Sequence, residues 1–490
     1  MVTVADHAVI LPILLPFAAG IGLLLAPPGA ATRRMSFAAV AALLSLAVLL
    51  ILTADSGDRF YALGGWPAPF GITLALDRLS ALLLLLTALV ALPTLCYAMS
   101  TNLDRQGRFF HPLFQFQLMG LNGAFLTGDL FNLFVFFEIL LMASYSLLIQ
   151  GGGRERIRAS LHYVILNLTG SALFLIAIGT LYGLTGALNL AELATRIAAA
   201  PAADAGLLRA AAGLLLVVFG LKAAVLPLYY WLPAAYANTS APVAALFALL
   251  TKVGVYSIIR VFPLTFGPEF TGWLLPLGLA TLLAGSMGVL ASRELRRLIA
   301  YSVIVSVGTL LTGIGLGTVA GLSAALTYLV HTTLITAGLF LLADLIADQR
   351  GHSESHPASP VAQPYLLGGL FLIGAMALAG LPPLSGFLGK VLLLQAAGNT
   401  PALPWVWSIV LGSSLLMLVA LSRMGSSLFW AVQDGMAITA LPAPIRRWWP
   451  VAALLAAGPA LMLFGQPLIH FTIAAAGPLL PSTAILPLWR

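Results

Sequence analysis

The stretch Phe219-Gly220-Leu221-Lys222-Ala223-Ala224-Val225-Leu226-Pro227 sets a lysine and a proline inside an otherwise apolar run. A second stretch, Gly380-Leu381-Pro382-Pro383-Leu384-Ser385-Gly386-Phe387-Leu388-Gly389-Lys390, combines the same residue types in the reverse order. An ammonium in hydrocarbon costs several kcal/mol, about 3 on insertion scales. A proline inside a span breaks the backbone ladder, and lipid cannot satisfy the groups it frees. Both stretches therefore read as membrane helices broken where neighbouring helices or enclosed water meet those groups.

The basic residues divide by type. Lys222, Lys252 and Lys390 are the only lysines, all within long apolar stretches, and the other twenty of the 23 basic residues are arginine. Lysine, unlike arginine, can surrender its proton when desolvated, and a neighbouring carboxylate opposes that loss. A lysine balanced between the two can exchange protons near neutrality. The 490 residues are 60% hydrophobic and 8% charged, with a mean hydropathy of +1.03, far outside the soluble globular range. The chain reads as an all-α polytopic membrane protein. A span needs about 20 apolar residues, and the apolar runs give fourteen: 8–26, 36–54, 78–100, 112–129, 131–150, 161–184, 208–230, 240–263, 272–291, 298–316, 321–346, 365–397, 404–430 and 449–474.

Several classes are excluded. The first run follows Asp6 and His7 instead of a basic segment, so it reads as a retained span and not a signal peptide. The single Cys96 leaves no internal disulfide and no cysteine-ligated iron–sulfur cluster within the chain. The formal charge of +7 does not point to nucleic acid, because the arginines are spread over short loops. With the N-terminus outside, fourteen arginines fall in inner loops and six outside, namely Arg59, Arg78, Arg196, Arg209, Arg260 and Arg490. The positive-inside rule then places both termini on the exterior of a bacterial inner membrane.

No polar stretch is long enough to separate soluble domains. Residues 1–111 hold spans 1–3, 112–263 a first five-span repeat, 272–430 a second, and 431–490 the last span. The broken spans 7 and 12 are each fourth in their repeat, and an odd number of spans inverts the second unit, as in inverted-repeat transporters. Two unrelated kinked helices would give the same local pattern. Tyr61–Asp77, with Gly64, Gly65, Pro67 and Pro69 before alternating Phe70, Ile72, Leu74 and Leu76, fits a short exterior β-hairpin and equally an irregular loop. Gly151–Gly153 lacks the features of a phosphate loop and reads as an inner-side turn.

Glu138 is the only acidic residue placed mid-span. One buried Glu among three buried Lys favours a pair with Lys222, in the same repeat. A static ion pair that fixes packing would look alike, although buried pairs are weak evidence for stability. Lys252, near the middle of its span with Thr251 beside it and Tyr256 one turn on, needs an internal polar environment. His331, between Val330 and Thr332, is either a packing residue or a proton relay. Asp129 reads as a helix cap. Asp344 and Asp348 read as ordinary solvated groups at the inner end of a span, and His352, Glu354 and His356 as a solvated loop with metal-like spacing but no scaffold.

Residues 128–138 (GDLFNLFVFFE), 219–228 (FGLKAAVLPL), 231–237 (WLPAAYA), 240–246 (SAPVAAL), 251–256 (TKVGVY) and 382–390 (PPLSGFLGK) resemble the antiporter-like subunits shared by respiratory complex I and the Mrp cation/proton antiporters, most of all the D-type subunits of the Mrp antiporters. The resemblance implies that Glu138, Lys222, bridging Lys252, His331 and Lys390 form a proton path. Loading at Glu138–Lys222 would shift charge onto Lys252 and His331, and Lys390 would exchange protons with one side. It also implies a Na⁺/H⁺ antiporter subunit beside other Mrp subunits in a hetero-oligomeric complex, not an enzyme, with no cofactor and no metal site. Relatives carry a lysine where this chain has Thr336 and a Ser-Gln pair where it has Val305 and Ser306, so water held by Thr332, Thr333 and Thr336 is the expected substitute. Two other readings stay open: a membrane subunit of a complex I-like quinone oxidoreductase or membrane hydrogenase, and a passive scaffold.

Overall fold

The structure, a computed structural model, describes residues 6–480 other than 67, 69, 357, 358, 399 and 432–440, and the backbone alone of 6 and 268–271. Pro67, Pro69 and Arg490 lie outside the described residues, as does part of the expected last unit.

The chain opens with α1 (Leu11–Leu25) and α2 (Ala30–Asp55), then β1 (Arg59–Ala62) and β2 (Thr73–Leu76). The strands pair antiparallel with Arg59 opposite Leu76, so the hairpin forms in place of an irregular loop. Asp77 does not extend it. Its carboxylate caps α3 (Arg78–Thr101), accepting from Ser80 N at 2.8 Å. There follow α4 (Phe110–Leu126), α5 (Leu130–Ile149) and α6 (Arg154–Thr185). Asp129 caps α5 through Asn132 N at 2.8 Å, and Gly151, Gly152 and Gly153 turn the chain into α6 with φ of 87°, 67° and 102°.

A short α7 (Leu190–Ala198) leads to the first broken element, α8 (Ala205–Ala223) and α9 (Trp231–Asn238), and to α10 (Ala241–Phe247) and α11 (Leu250–Thr265). Next come α12 (Pro268–Ala291), α13 (Leu295–Gly315), α14 (Val319–Arg350), the second broken element α15 (Pro364–Ala379) and α16 (Ser385–Ala396), and α17 (Leu403–Phe429). The chain ends in α18 (Ile445–Leu455), α19 (Ala457–Leu463) and α20 (Gly465–Ala476). At the two breaks Ala224 (φ 62°) and Gly380 (φ 83°) are left-handed, and Leu226–Pro227 and Pro382–Pro383 are cis.

Among the described residues ten helices are long and apolar enough to cross a membrane, eleven if Ile445–Leu463 and Gly465–Leu479, bent by 83°, count as one span. The most apolar windows of the segment Ala241–Thr265 (α10 and α11), α13 and α14 are 100%, 89% and 94% buried against 33% in α2 and α17, so the former make the centre and the latter the rim.

Two backbone bridges have the same pattern. Leu130 N donates to Leu188 O and Leu190 N to Gly128 O, both at 2.9 Å. Leu295 N donates to Ser353 O at 3.0 Å and Ser355 N to Arg293 O at 2.8 Å.

Two charged groups depart from the sequence reading. Arg260 is not in an outer loop but buried in α11, where its guanidinium grips Asp77 at 2.5 and 2.9 Å and also donates to Tyr256 and Ser80. Burial alone would raise the Asp77 carboxyl; Arg260 and Ser80 hold it below 3.8 instead. Asp344 is not simply solvated, since α14 continues to Arg350 and the carboxylate takes hydrogen bonds from Arg296 and from the Tyr97 hydroxyl. Asp348 is exposed, in keeping with a solvated carboxylate, and pairs with Arg447 at 2.9 Å. Elsewhere Arg33 (2.5 Å) and His111 (3.1 Å) clamp buried Asp104. Burial opposes ionisation of that carboxyl, but His111 and Arg33 hold it below 3.8.

Candidate functional site

Glu138 leaves α5 half-buried and accepts a hydrogen bond from the Ser171 hydroxyl on α6. One turn back on α6, Asn167 presents Oδ1 to Lys222 Nζ at 3.3 Å, and the ammonium lies 5.7 Å from the centre of the Phe137 ring. Glu138 and Lys222 thus face each other through Ser171 and Asn167 instead of touching. A cavity of about 20 Å³ beside Tyr163, Asn167 and Lys222 has room for one water. Sequence reasoning missed both mediators, although their spacing held the signal: Asn167 and Ser171 are four apart in an apolar run, hence on one face.

Lys252 is wholly buried on α11, donating to Ser306 Oγ on α13 at 3.2 Å with Thr251 Oγ1 at 3.4 Å. Tyr256 turns away, donating to Phe125 O at 2.7 Å. Gly254 lets this helix approach α8 backbone to backbone: a Cβ there would meet Phe219 O at 2.8 Å and Ala223 Cα at 2.9 Å. Lys252 therefore sits beside the helix of Lys222 while its ammonium reaches into the following half of the chain.

His331 Nδ1 lies 2.8 Å from Ser385 Oγ at the start of α16, and a Cβ on Gly386 would come 2.9 Å from Nε2. Among the described residues Nε2 and Thr332 Oγ1 are buried without a hydrogen-bond partner. The three threonines expected to hold water are unequal, because Thr333 and Thr336 turn their hydroxyls onto Leu329 O and Thr332 O of their own helix. Only Thr332 keeps its hydroxyl uncommitted. Tyr328, one turn from Thr332, reaches the Thr309 side chain.

Lys390 donates to Ala379 O and to Ser414 Oγ on α17, each at 2.8 Å. The carbonyl is available for a simple reason. Its helical donor would be the N–H four residues on, and that residue is Pro383, which has none. The proline that ends α15 thereby creates the acceptor for the lysine on α16.

The direct acceptors of all three lysines are neutral dipoles, so loss of a proton leaves no carboxylate stranded in contact with a neutral amine. His331 adds an imidazole that can donate on one nitrogen and accept on the other. Among the described residues no group of three or more His, Cys, Asp and Glu is arranged to hold a metal. Glu354 and His356 are exposed and 4.0 Å apart.

Residues 127–417 match the family described as "NADH:quinone oxidoreductase/Mrp antiporter, TM". The chain is 41% identical to the D subunit of a probable K⁺/H⁺ antiporter of Rhizobium meliloti, over 97% of this chain and 96% of that one. It is 40% identical to the D subunit of the Na⁺/H⁺ antiporter of Bacillus subtilis over 87% of each. Its fold superposes on a chain of the Mrp complex from Dietzia sp. with a TM-score of 0.87 and 28% identity over 98% of both.

Proposed function

We propose, from the premise that this chain belongs to the NADH:quinone oxidoreductase/Mrp antiporter family, that it is the proton-translocating, D-type subunit of a multisubunit monovalent cation (Na⁺)/proton antiporter. It works beside other Mrp subunits in a bacterial membrane, as a transporter component and not an enzyme. Near-full-length relatives that are antiporter subunits favour this over a redox complex.

Protons pass from Glu138 and Ser171 to Lys222, whose ammonium Asn167 holds through its amide oxygen, cross to Lys252 and Ser306, and continue to His331, Ser385 and Lys390. The observation that carries the reading is that every lysine of the chain is buried on a neutral acceptor supplied by another helix or by a helix break. A scaffold has no need of three such groups, since apolar residues of similar volume pack as well.

Fourteen spans, with 112–263 and 272–430 as inverted five-span repeats flanked by 1–111 and 431–490, complete the reading. Supporting the repeats, the two backbone bridges coincide when residue numbers are shifted by 165, as 130 to 295 and 188 to 353. The same shift carries α6 onto α14, each 32 residues long, and Tyr163, Asn167 and Ser171 onto Tyr328, Thr332 and Thr336. Both termini then lie outside.

In inside-out membrane vesicles, Lys222→Ala and Glu138→Ala each abolish cation-driven proton movement while the complex still assembles. Full transport by both variants sinks the reading.

A further inference from the structure

A set of hydroxyls next to His331 takes no part in the path above. Thr327 and Ser323 stand one and two turns before His331 on α14, on one face. Both meet Thr472 of α20, Ser323 Oγ at 2.9 Å and Thr327 Oγ1 at 3.1 Å, and all three are buried. Thr472 has one hydrogen and two acceptor lone pairs. When that hydrogen goes to Ile469 O, 3.1 Å away, Ser323 and Thr327 both donate into Thr472. When it swings to either neighbour, the direction reverses without movement of a heavy atom. Reversible polarity is what proton hopping requires, whereas packing requires only contact.

Both ends of the set lead somewhere. On one side is His331, whose Nε2 is buried and unpartnered among the described residues. Residues one turn apart have Cβ atoms about 5–6 Å from each other, a gap that one bridging water covers. On the other side, Ala474 and Ala475 of α20 wall a cavity of about 30 Å³ shared with Asp58, Asp77 and Arg260, room for about two waters.

We propose that Thr472, Ser323 and Thr327 form the proton exchange route between His331 and the side of the membrane where α14 begins, the outer side in the orientation given above. The inference rests on the proton-translocating reading. A proton from His331 lands on a hydroxyl lone pair as that hydroxyl's own hydrogen moves on, so every group ends neutral and no further reactant is needed.

The test uses the whole complex in inside-out vesicles. Thr472→Val keeps the branched shape and removes the hydroxyl. It lowers the maximal antiport rate several-fold and enlarges the H₂O/D₂O rate ratio, with the half-saturating cation concentration and subunit content unchanged. Thr472→Ser restores most of the rate, and the Ser323→Ala/Thr327→Val double variant behaves like Thr472→Val. Full rate in Thr472→Val and in the double variant overturns the route, as does a Thr472→Ser complex as slow as Thr472→Val. Loss of assembly in both hydroxyl-deleted complexes assigns the cluster to packing and overturns it too. The control is separate: full antiport in Lys222→Ala and His331→Ala fails the underlying reading, whereas full antiport in the hydroxyl variants alone fails only the route.

Discussion

Lys222 and Lys390 both belong to broken helices, yet they sit on opposite sides of their breaks and in different chemistry. Lys222 ends the first half-helix, α8, and rests on Asn167 with Glu138 beyond Ser171. Lys390 lies on the second half-helix, α16, and rests on a carbonyl freed by proline and on Ser414. Glu138 is eight residues into α5 (138 − 130), and eight residues into α13 (295 + 8) is Val303, so the second half has no carboxylate at the matching place. One scaffold thus holds two kinds of amine: one biased by a nearby carboxylate, one cradled by dipoles alone. Along the proposed path, that asymmetry would give proton transfer between them a direction.

The largest expected effect concerns what is left behind when each lysine is removed. Lys222→Met and Lys390→Met both stop antiport, but they differ in stability. The first strips a cation from the surroundings of Glu138, and breaking a buried charge pair costs about 3–5 kcal/mol, less here because two side chains intervene. The second leaves only neutral acceptors unmade, about 1–3 kcal/mol. Thermal unfolding of the detergent-extracted complexes measures both. An equal or larger loss for Lys390→Met breaks the comparison.

A smaller effect is expected from the mediators. Asn167→Ala removes a hydrogen bond to a charged group, about 1.5–3 kcal/mol, and slows antiport by about tenfold or more. Ser414→Ala leaves Lys390 the Ala379 carbonyl and slows antiport less. Matching losses from the two would mean that the carbonyl does not hold Lys390.

The smallest effect on transport comes from outside both halves. Asp104→Asn leaves the antiport rate unchanged and lowers stability at neutral pH by about 1–3 kcal/mol. The folded Asp104 carboxyl lies below its ordinary 3.8, so its stabilisation is present above about pH 4 and is lost as the pH falls through the folded value. The gap between wild type and variant in a pH series of unfolding therefore closes on the acid side, and a gap that widens there excludes the Asp104 clamp as its cause.

Much of the site was legible because buried charge is rare in apolar sequence. Glu138, Lys222, Lys252, His331 and Lys390 stand out as ionisable groups in apolar runs, and Pro227, Pro382 and Pro383 announce broken helices. Asn167 and Ser171 escaped notice because a neutral polar residue in a span is common and its partner is invisible without the neighbouring helix. Thr472 was hidden for the same reason, lying in a different helix from Ser323 and Thr327. Arg260 was misread as a loop residue because its partner, Asp77, is far away in the chain and only the folded bundle brings the two together.

From residue types alone it follows that the chain lives in a membrane, where its helices break and which ionisable side chains are candidates for carrying protons. Hydrocarbon imposes those facts residue by residue through the cost of unsatisfied polar groups. Packing settles what each candidate touches: Asn167 and Ser171 between Glu138 and Lys222, Ser306 under Lys252, and the Ala379 carbonyl under Lys390. Hydrogen bonds act over about 3 Å, and contacts at that range between distant parts of the chain exist only once the helices are packed.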